Sequence, residues 1–591
     1  MSILADRSAF AWMSITGRGI LVASVRDARS SPAVLLALSG LPVLAAAWAL
    51  MSPPTVLSNA MTWDFLFNLS GAWDLYMGHI PHVDFHDPVG QLYFILTALG
   101  FQLLGPGPFA FLIGVAIVVS ILFAGSCLAA VRRLPLLPAA IFVVFVCLLA
   151  LMPANIGEKP DQYTFAMAYN RYCWSAFSIL ALIVLVPPRN RLGWDWIDIA
   201  VAVLLLVGMF YLKVTYFAVG LATVAFAVLF QPHVRRRWPA WLAVCALVIA
   251  NAFAPYSQAY LNDILGAAQG GAIQSSLTQH LKNFLAAVGE YAPYFAAFVV
   301  ACWMWFTGRA SLRLPLTIAF LFATALFLLS QNTQSSGLPS TIVIVLVLYD
   351  QLRTHFADAR ARDIGPLLLA LLVFPFLAIG ASASSIAGYH AKANRTQILY
   401  VVDHTNLRGL AVPAGERGAS ASYERGGIMA GDDKMRTPGP SMPRYDLSQF
   451  EYIETLLEAA DLVAGERDKE QHRSDGIALF DQVNSLPFML GLAPPRGANL
   501  WSSWLSPLLP AEQYLANVEY VLIPKFPTTA NWTAALVSHY GSYLDEHFHC
   551  VADSPSWIML ARRQPGDPMP PDPAPSLNSS APHPETPPAN L

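Results

Sequence analysis

Charge is what this sequence has least of. Asp, Glu, Lys and Arg make up 12% of its 591 residues, about half the ~25% usual in a soluble domain. Hydrophobic residues reach 55% and gather in long runs, which excludes an ordinary soluble protein and indicates a polytopic membrane chain. No basic domain accompanies the net charge of −3, so nucleic acid is not an expected partner. The six cysteines (Cys127, Cys147, Cys173, Cys245, Cys302 and Cys550) form no C-x-x-C pair, and five lie in or beside apolar runs. Neither a disulfide framework nor a zinc site is indicated. No G-x-x-x-x-G-K-[ST] phosphate loop occurs. The first apolar run is too long and unflanked for a cleaved signal. No Gly/Pro-broken helix recurs in two halves, the pattern that would point to a transporter.

A spanning helix needs about 20 apolar residues. Runs of that kind lie near 33–51, 108–130, 134–152, 171–187, 196–211, 214–230, 238–254, 288–307, 314–330, 339–351 and 364–387. Cytoplasmic loops carry the Lys/Arg excess. Arg7, Arg18, Arg26 and Arg29 precede the first run, and alternate loops hold Arg132/Arg133, Arg189/Arg191, Arg235–Arg237, Arg309/Arg313 and Arg353/Arg360/Arg362. Residues 52–107 and 331–338 hold neither Lys nor Arg. The alternation is clean for eleven crossings that start inside and end outside. Counting "VGQLYFILTALGFQLL" (89–104) as a further span would invert every later loop, so it is placed as a helix lying on the outer membrane surface. The amphipathic "FNLSGAWDLYMG" before it, with Trp63, Trp73 and Tyr76, suits the same interface.

The expected fold is therefore a polytopic α-helical membrane protein with a small outer α/β domain. Residues 1–32 form a cytoplasmic segment, 33–387 the membrane domain with its first outer loop at 52–107, and 388–565 the outer domain. In that domain "GIALFDQVNSLPFMLG" reads as a strand then a helix, and "VEYVLIPKFP" and "SWIMLARR" read as strands. The Pro-rich tail 566–591 lacks core formers and is expected to be disordered.

The first outer loop concentrates what the rest of the chain avoids: Asp64, Asp74, Asp84, Asp87, His79, His82 and His86. Acids beside lipid are costly unless solvated or paired. Its order is an acid at the start of an amphipathic helix, then "MGHIPHVDF", "DPVGQLY" and "FQLLG". This resembles the first outer loop of integral-membrane GT-C glycosyltransferases, which include protein mannosyltransferases and aminoarabinose transferases. The motif covers about 45 residues, and His82 stands where that family often has an aromatic residue. The resemblance implies an enzyme that moves a hexose or pentose, with inversion, from a polyprenyl-phosphate donor to a lipid, polysaccharide or protein acceptor. It places the reaction at the outer face of a membrane, read as a bacterial inner membrane, with the active site and the C-terminal domain on the periplasmic side.

By that resemblance Asp64 stands at the catalytic acid/base, where a carboxylate taking the acceptor's proton is worth about 10²–10⁴-fold. The same residue reads equally as an N-cap worth about 1 kcal/mol. Asp84 is a further catalytic candidate or a loop-ordering residue, and Asp87 before Pro88 is a substrate-binding candidate or a turn residue. In the second outer loop, "ANIGEKPDQYTFAMAYNRYCWS", Asp161 and Glu158 stand near the family's second acid, as a catalytic and a binding candidate; solvated loop charge is the plainer reading. Arg171 in "YNRY" and Lys213 in "MFYLKVTYF" lie at outer membrane edges, where a cation either binds a lipid phosphate or snorkels to headgroups. His86 is a binding candidate. His79, His82 and His86 leave a divalent metal open without diagnostic spacing. The polar loop "SQNTQSSGLPS" suits sugar hydroxyls or any turn. Two other classes compete: a transporter or flippase for a lipid-linked saccharide, and a non-catalytic envelope-assembly protein. Asn68 in "NLS" is a glycosylation sequon only if the outer side is an endoplasmic-reticulum lumen.

Overall fold

The computed structural model describes residues 32–189, 195–268, 291–330, 340–353, 365–415, 447–469, 476–502, 508–528 and 530–564. The N-terminal arginines, Arg191, Arg360, Arg362, the loop 331–338 and the tail 566–591 lie outside them.

Each apolar run is a helix, as lipid demands of a backbone with no water to bond. They are α1 (Pro32–Met51), α4 (Phe109–Val131), α5 (Leu136–Leu151), α6 (Ala168–Leu185), α7 (Asp195–Leu212), α8 (Val214–Phe230), α9 (Trp238–Ala252), α11 (Ala292–Phe306), α12 (Arg313–Ser330), α13 (Thr341–Arg353) and α14 (Gly365–Ala393). Between them lie α2 (Thr62–Tyr76), α3 (Leu92–Leu104) and α10 (Gln258–Ala267). By length and composition α1, α4, α6 and α7 each suffice to cross a membrane, and α9 with the segment Pro255–Ala267 makes a pair bent by 60° that passes together. The chain is an integral membrane protein. Leu36, Leu38, Leu41, Leu44 and Trp48 lie exposed along α1, a face for lipid. By contrast, every residue of α6 is buried. It forms the hub of the bundle, and its N-terminal end carries Tyr169, Asn170 and Arg171.

The C-terminal ends of α4 and α6 and the first turn of α7 are locked by charge. Arg133 is buried, its guanidinium donating to Asp198 at 2.8 and 3.1 Å and to the carbonyls of Val186 and Ile183 at 3.0 and 3.1 Å. Arg132 pairs with Asp195 at 2.8 Å and Asp198 at 2.7 Å. This ties α4 to the end of α6 and to the first turn of α7.

Helix α3 has 13 residues, about 20 Å at 1.5 Å per residue, short of the ~30 Å hydrocarbon core. The helix α2 departs from its expected interfacial place, being buried along nearly its whole length. Trp73 donates through Nε1 to the Leu492 carbonyl at 2.8 Å, and Trp63 meets Tyr452 edge-on at 6.1 Å. Of the three interfacial aromatics Tyr76 alone is exposed. The cause is the C-terminal region, which lies over the loop and supplies the partners that headgroups would have supplied.

That region holds a four-stranded sheet in the order β5 (Ile477–Leu479), β7 (Tyr520–Pro524), β9 (Trp557–Arg562), β8 (Phe548–Asp553), parallel between β5 and β7 and antiparallel elsewhere. α15 (Gln449–Lys469), α16 (Leu486–Leu490) and α17 (Ala530–His547) accompany it. Phe480, Val521, Ile523, Tyr540 and Leu544 share its own small core. Short strands stitch it to the first loop. β1 (Val56–Leu57) pairs in parallel with β4 (Leu410–Pro413), which also pairs with β3 (Leu399–Val401). β2 (Phe85–His86) pairs in parallel with β6 (Ala498–Asn499).

A buried polar link joins α2 to α3. Asn68 donates to the Tyr93 carbonyl at 3.1 Å and accepts from Thr97 Oγ1 at 2.7 Å. Asn68 is fully buried, so its sequon is closed to modification in the folded chain. Thr97→Val leaves the Asn68 oxygen unsatisfied and is expected to cost about 1–3 kcal/mol, read as a lowered melting temperature in detergent with transfer activity measured alongside.

Candidate active site

Asp64 is the third residue of α2 and does not cap it. The N-cap is Met61, left-handed at φ 49°, with no side-chain cap bond. The carboxyl is free for other work, and it is buried with Oδ1 bonded to nothing. Burial lifts it from 3.8 to about 7, against the Met167 N–H and Arg171, which both pull it down. Close to it lie further buried polar atoms without partners: Arg171 Nε, Asn170 Nδ2, Tyr93 Oη and Asp87 Oδ2. Arg171 spends Nη1 on the Ala166 carbonyl at 3.0 Å. It is buried within the protein, not reaching outward to headgroups. Tyr93 and Tyr169 stand ring to ring at 5.1 Å, both within electrostatic reach of Asp64.

The backbone around this cluster is strained. Met61, His82, Phe165 and Met167 have φ of 49°, 64°, 50° and 47°; among the described residues one other non-glycine, Thr405, shares that region. Each costs on the order of 1–3 kcal/mol and persists only where its surroundings hold it. Met61 and Met167 flank Asp64 from two different segments.

Lys213 is the single residue between α7 and α8. Its Nζ donates to Asn170 Oδ1 at 3.2 Å and lies 5.2 Å from the centre of the Tyr169 ring. Both cations named from the sequence therefore converge on the N-terminal end of α6.

Asp87 and His86 arrive from the first loop. Asp87 Oδ1 accepts from the Val89 N–H at 2.6 Å, a turn contact. Burial pushes its carboxyl well above the ordinary range, the Val89 bond opposes this, and Asp263 and Asp64 add to it. His86 Nδ1 donates to Asp263 Oδ1 at 3.0 Å, and His82 Nδ1 to Asp263 Oδ2 at 2.9 Å. Asp263, on α10, had no signal in the sequence. It lies in an unremarked helical turn, and the histidines that point to it are 181 and 177 residues away.

Four other candidates have other company. Asp84 Oδ2 accepts from the Ile80 N–H at 2.8 Å and its Oδ1 lies 4.0 Å from Arg496, contacts that order the loop. Asp161 is exposed and 3.9 Å from Lys392. Glu158 is half-buried. His79 is taken up by Asp74 at 2.9 Å. Among the described residues no three His, Cys, Asp or Glu side chains are grouped to hold a metal ion.

Chemically, this cluster offers a carboxyl that titrates near neutrality, two cations and several hydroxyl or amide groups. No family model matches the chain, and no curated protein does. Among solved structures the chain is similar to ArnT from Cupriavidus metallidurans in the apo state, at 14% identity over 88% of this chain and 96% of that one, with a TM-score of 0.44. It is similar to the same protein bound to undecaprenyl phosphate at 14% identity, 89% and 98% coverage and a TM-score of 0.42. The Archaeoglobus fulgidus oligosaccharyltransferase in complex with Zn and sulfate follows at 11% identity, 89% and 73% coverage and a TM-score of 0.33.

Proposed function

We propose that this chain is a GT-C-type glycosyltransferase that moves a sugar from a polyprenyl phosphate to a hydroxyl acceptor at the outer membrane face. The observation that carries the reading is the proximity of a buried, unpartnered carboxyl oxygen, Asp64 Oδ1, to a buried, incompletely satisfied cation, Arg171. Unpaired buried groups of both signs are expensive, and a substrate carrying both a hydroxyl and a phosphate satisfies them together.

In the proposed step, Asp64 takes the proton of the acceptor O–H as that oxygen attacks the anomeric carbon from the face opposite the phosphate. The C–O bond to phosphate breaks, and the electron pair leaves with polyprenyl phosphate, whose charge Lys213 and Arg171 offset. The lipid tail lies against the apolar helices. The acceptor, whether lipid, polysaccharide or protein, enters from the outer side.

The test is transfer in proteoliposomes from a panel of labelled polyprenyl-phosphate sugars, with kcat/KM followed against pH. The working form of Asp64 is the carboxylate, present above about 7. So kcat/KM is expected to rise about tenfold per pH unit up to 7 and then level, since this profile reports the free enzyme's base. A profile flat from pH 5 to 8 removes Asp64 from that role. Lys213→Met is expected to raise the donor KM about tenfold or more, as loss of a charge-assisted phosphate contact should. An unchanged KM would return Lys213 to a purely packing role.

A further inference from the structure

We infer that His82 and Asp87, both hung on Asp263, form the subsite that reads hydroxyl groups of the donor sugar; this rests on the transferase reading above. Asp263 Oδ2 accepts from His82 Nδ1 at 2.9 Å and from the Asp87 backbone N–H at 3.1 Å, and Oδ1 accepts from His86 Nδ1 at 3.0 Å. One carboxylate thus fixes three points of the first loop. His82 is held further by its ring, 4.7 Å from that of Tyr260, one turn before Asp263 on α10.

This fixing leaves specific atoms over. A His that donates from Nδ1 to a carboxylate presents Nε2 as a lone-pair acceptor in its neutral form. His82 Nε2 is buried and bonded to nothing, and so is Asp87 Oδ2. The two residues are 3% and 2% exposed, so solvent does not satisfy these atoms. His82 is also one of the strained left-handed residues. Strain, burial and an orphaned acceptor in one side chain need a reason, since buried polar groups are normally paired. Electrostatics link Asp87 to Asp64 and to Tyr169, the ring beneath Lys213. A sugar whose phosphate meets Lys213 and whose reacting carbon faces Asp64 therefore has its ring beside Asp87 and His82. A lone-pair nitrogen that accepts and a buried carboxyl oxygen held close to it form a polar pair that matches hydroxyls.

A site built to bond a substrate hydroxyl rejects the analogue lacking it strongly, by up to ~10⁴-fold, because its own groups are left unpaired. The experiment uses the full-length protein in nanodiscs and short-chain polyprenyl-phosphate pentoses and hexoses with their single-deoxy analogues. Transfer is measured with acceptor, and binding by calorimetry without it, so that donor hydroxyls are separated from acceptor hydroxyls. The wild type is expected to reject at least one deoxy donor by about 10²-fold or more. His82→Phe, which keeps the ring on Tyr260, should shrink that ratio to below about tenfold while other analogues shift in common. Asp263→Asn, which retains one accepting oxygen, should fall between and serves if His82→Phe does not fold.

An unchanged ratio in both folded variants overturns the subsite, as does a wild type indifferent to every deoxy donor, the result expected if water fills these atoms. Discriminating binding without transfer sustains the subsite and sinks the transferase reading. Transfer without discrimination does the reverse. Neither binding nor transfer with any donor overturns both.

Discussion

Asp64→Asn is expected to lose transfer by about 10²–10⁴-fold and yet to melt higher than the wild type at pH 8. The second half follows from the sign of the carboxyl's displacement. In the folded chain it titrates near 7, above its ordinary 3.8. Between those values the folded state holds a proton that the unfolded chain has released, so stability falls as pH rises through this window. Above it the charged carboxyl costs about 4 kcal/mol. Asparagine has the same shape and no charge to bury. Arg171 loses a neighbour in the variant, but its pull on Asp64 is smaller than the cost of burial, so the balance still favours the amide. The two proteins should converge as pH falls below about 3.8, where Asp64 becomes protonated in both states, and diverge by a few degrees at pH 8. A residue kept for packing would lose both activity and stability; a residue kept for chemistry trades one for the other. Wild-type transfer by the variant, or a lower melting point at pH 8, would falsify the assignment.

The frame of this arrangement was legible because lipid imposes simple rules. Uncharged apolar runs must be helices, and the paired arginines Arg132 and Arg133 close one end of α4, where they meet Asp195 and Asp198. The acids and histidines of the first loop stood out because the chain around them is oily. What joins them could not be read. Asp263 sits in "YLNDILG", a stretch whose composition marks only a helix. The left-handed residues Met61, Phe165 and Met167 are not types that announce positive φ, as glycine or asparagine do. The tryptophans of α2 suggest headgroups because an indole N–H donates equally well to a lipid carbonyl and to the Leu492 carbonyl. The strands β1, β2 and β6 have two residues each, too few for alternation to show. Even the end of α2 depends on a distant residue: the Thr62 N–H donates to Gln449 Oε1 at 2.8 Å, across 387 positions. Ser448 and Glu451 hold the start of α15 in a reciprocal capping box that sets Gln449 in place.

Gly90→Ala tests whether the loop and the Lys213 hinge act as one site. Gly90 donates its N–H to the Leu212 carbonyl at 3.2 Å, so the first loop touches the chain directly before Lys213. A Cβ there would lie 2.1 Å from the Tyr211 carbonyl oxygen and 2.9 Å from the Leu212 nitrogen. Both are backbone atoms and cannot turn aside. The loop must therefore back away by about 1 Å, carrying Asp87 with it. Asp64 remains in α2 and Lys213 in the link between α7 and α8, so donor phosphate binding should largely survive. What is lost is their mutual placement, and a displacement of this size costs about 10²-fold, chiefly in kcat. Gly208→Ala is the matched control: it lies on the same α7, and a Cβ there meets nothing within 4 Å. Alanine in that helix interior should be neutral or stabilising by about 0.5–1 kcal/mol. If the alanine at 90 keeps the wild-type kcat, loop and hinge do not cooperate, and the cation needed by the leaving phosphate is Arg171 alone. If kcat falls with KM nearly unchanged while Gly208→Ala is silent, the close approach of two backbones is what brings the base and the phosphate site into register.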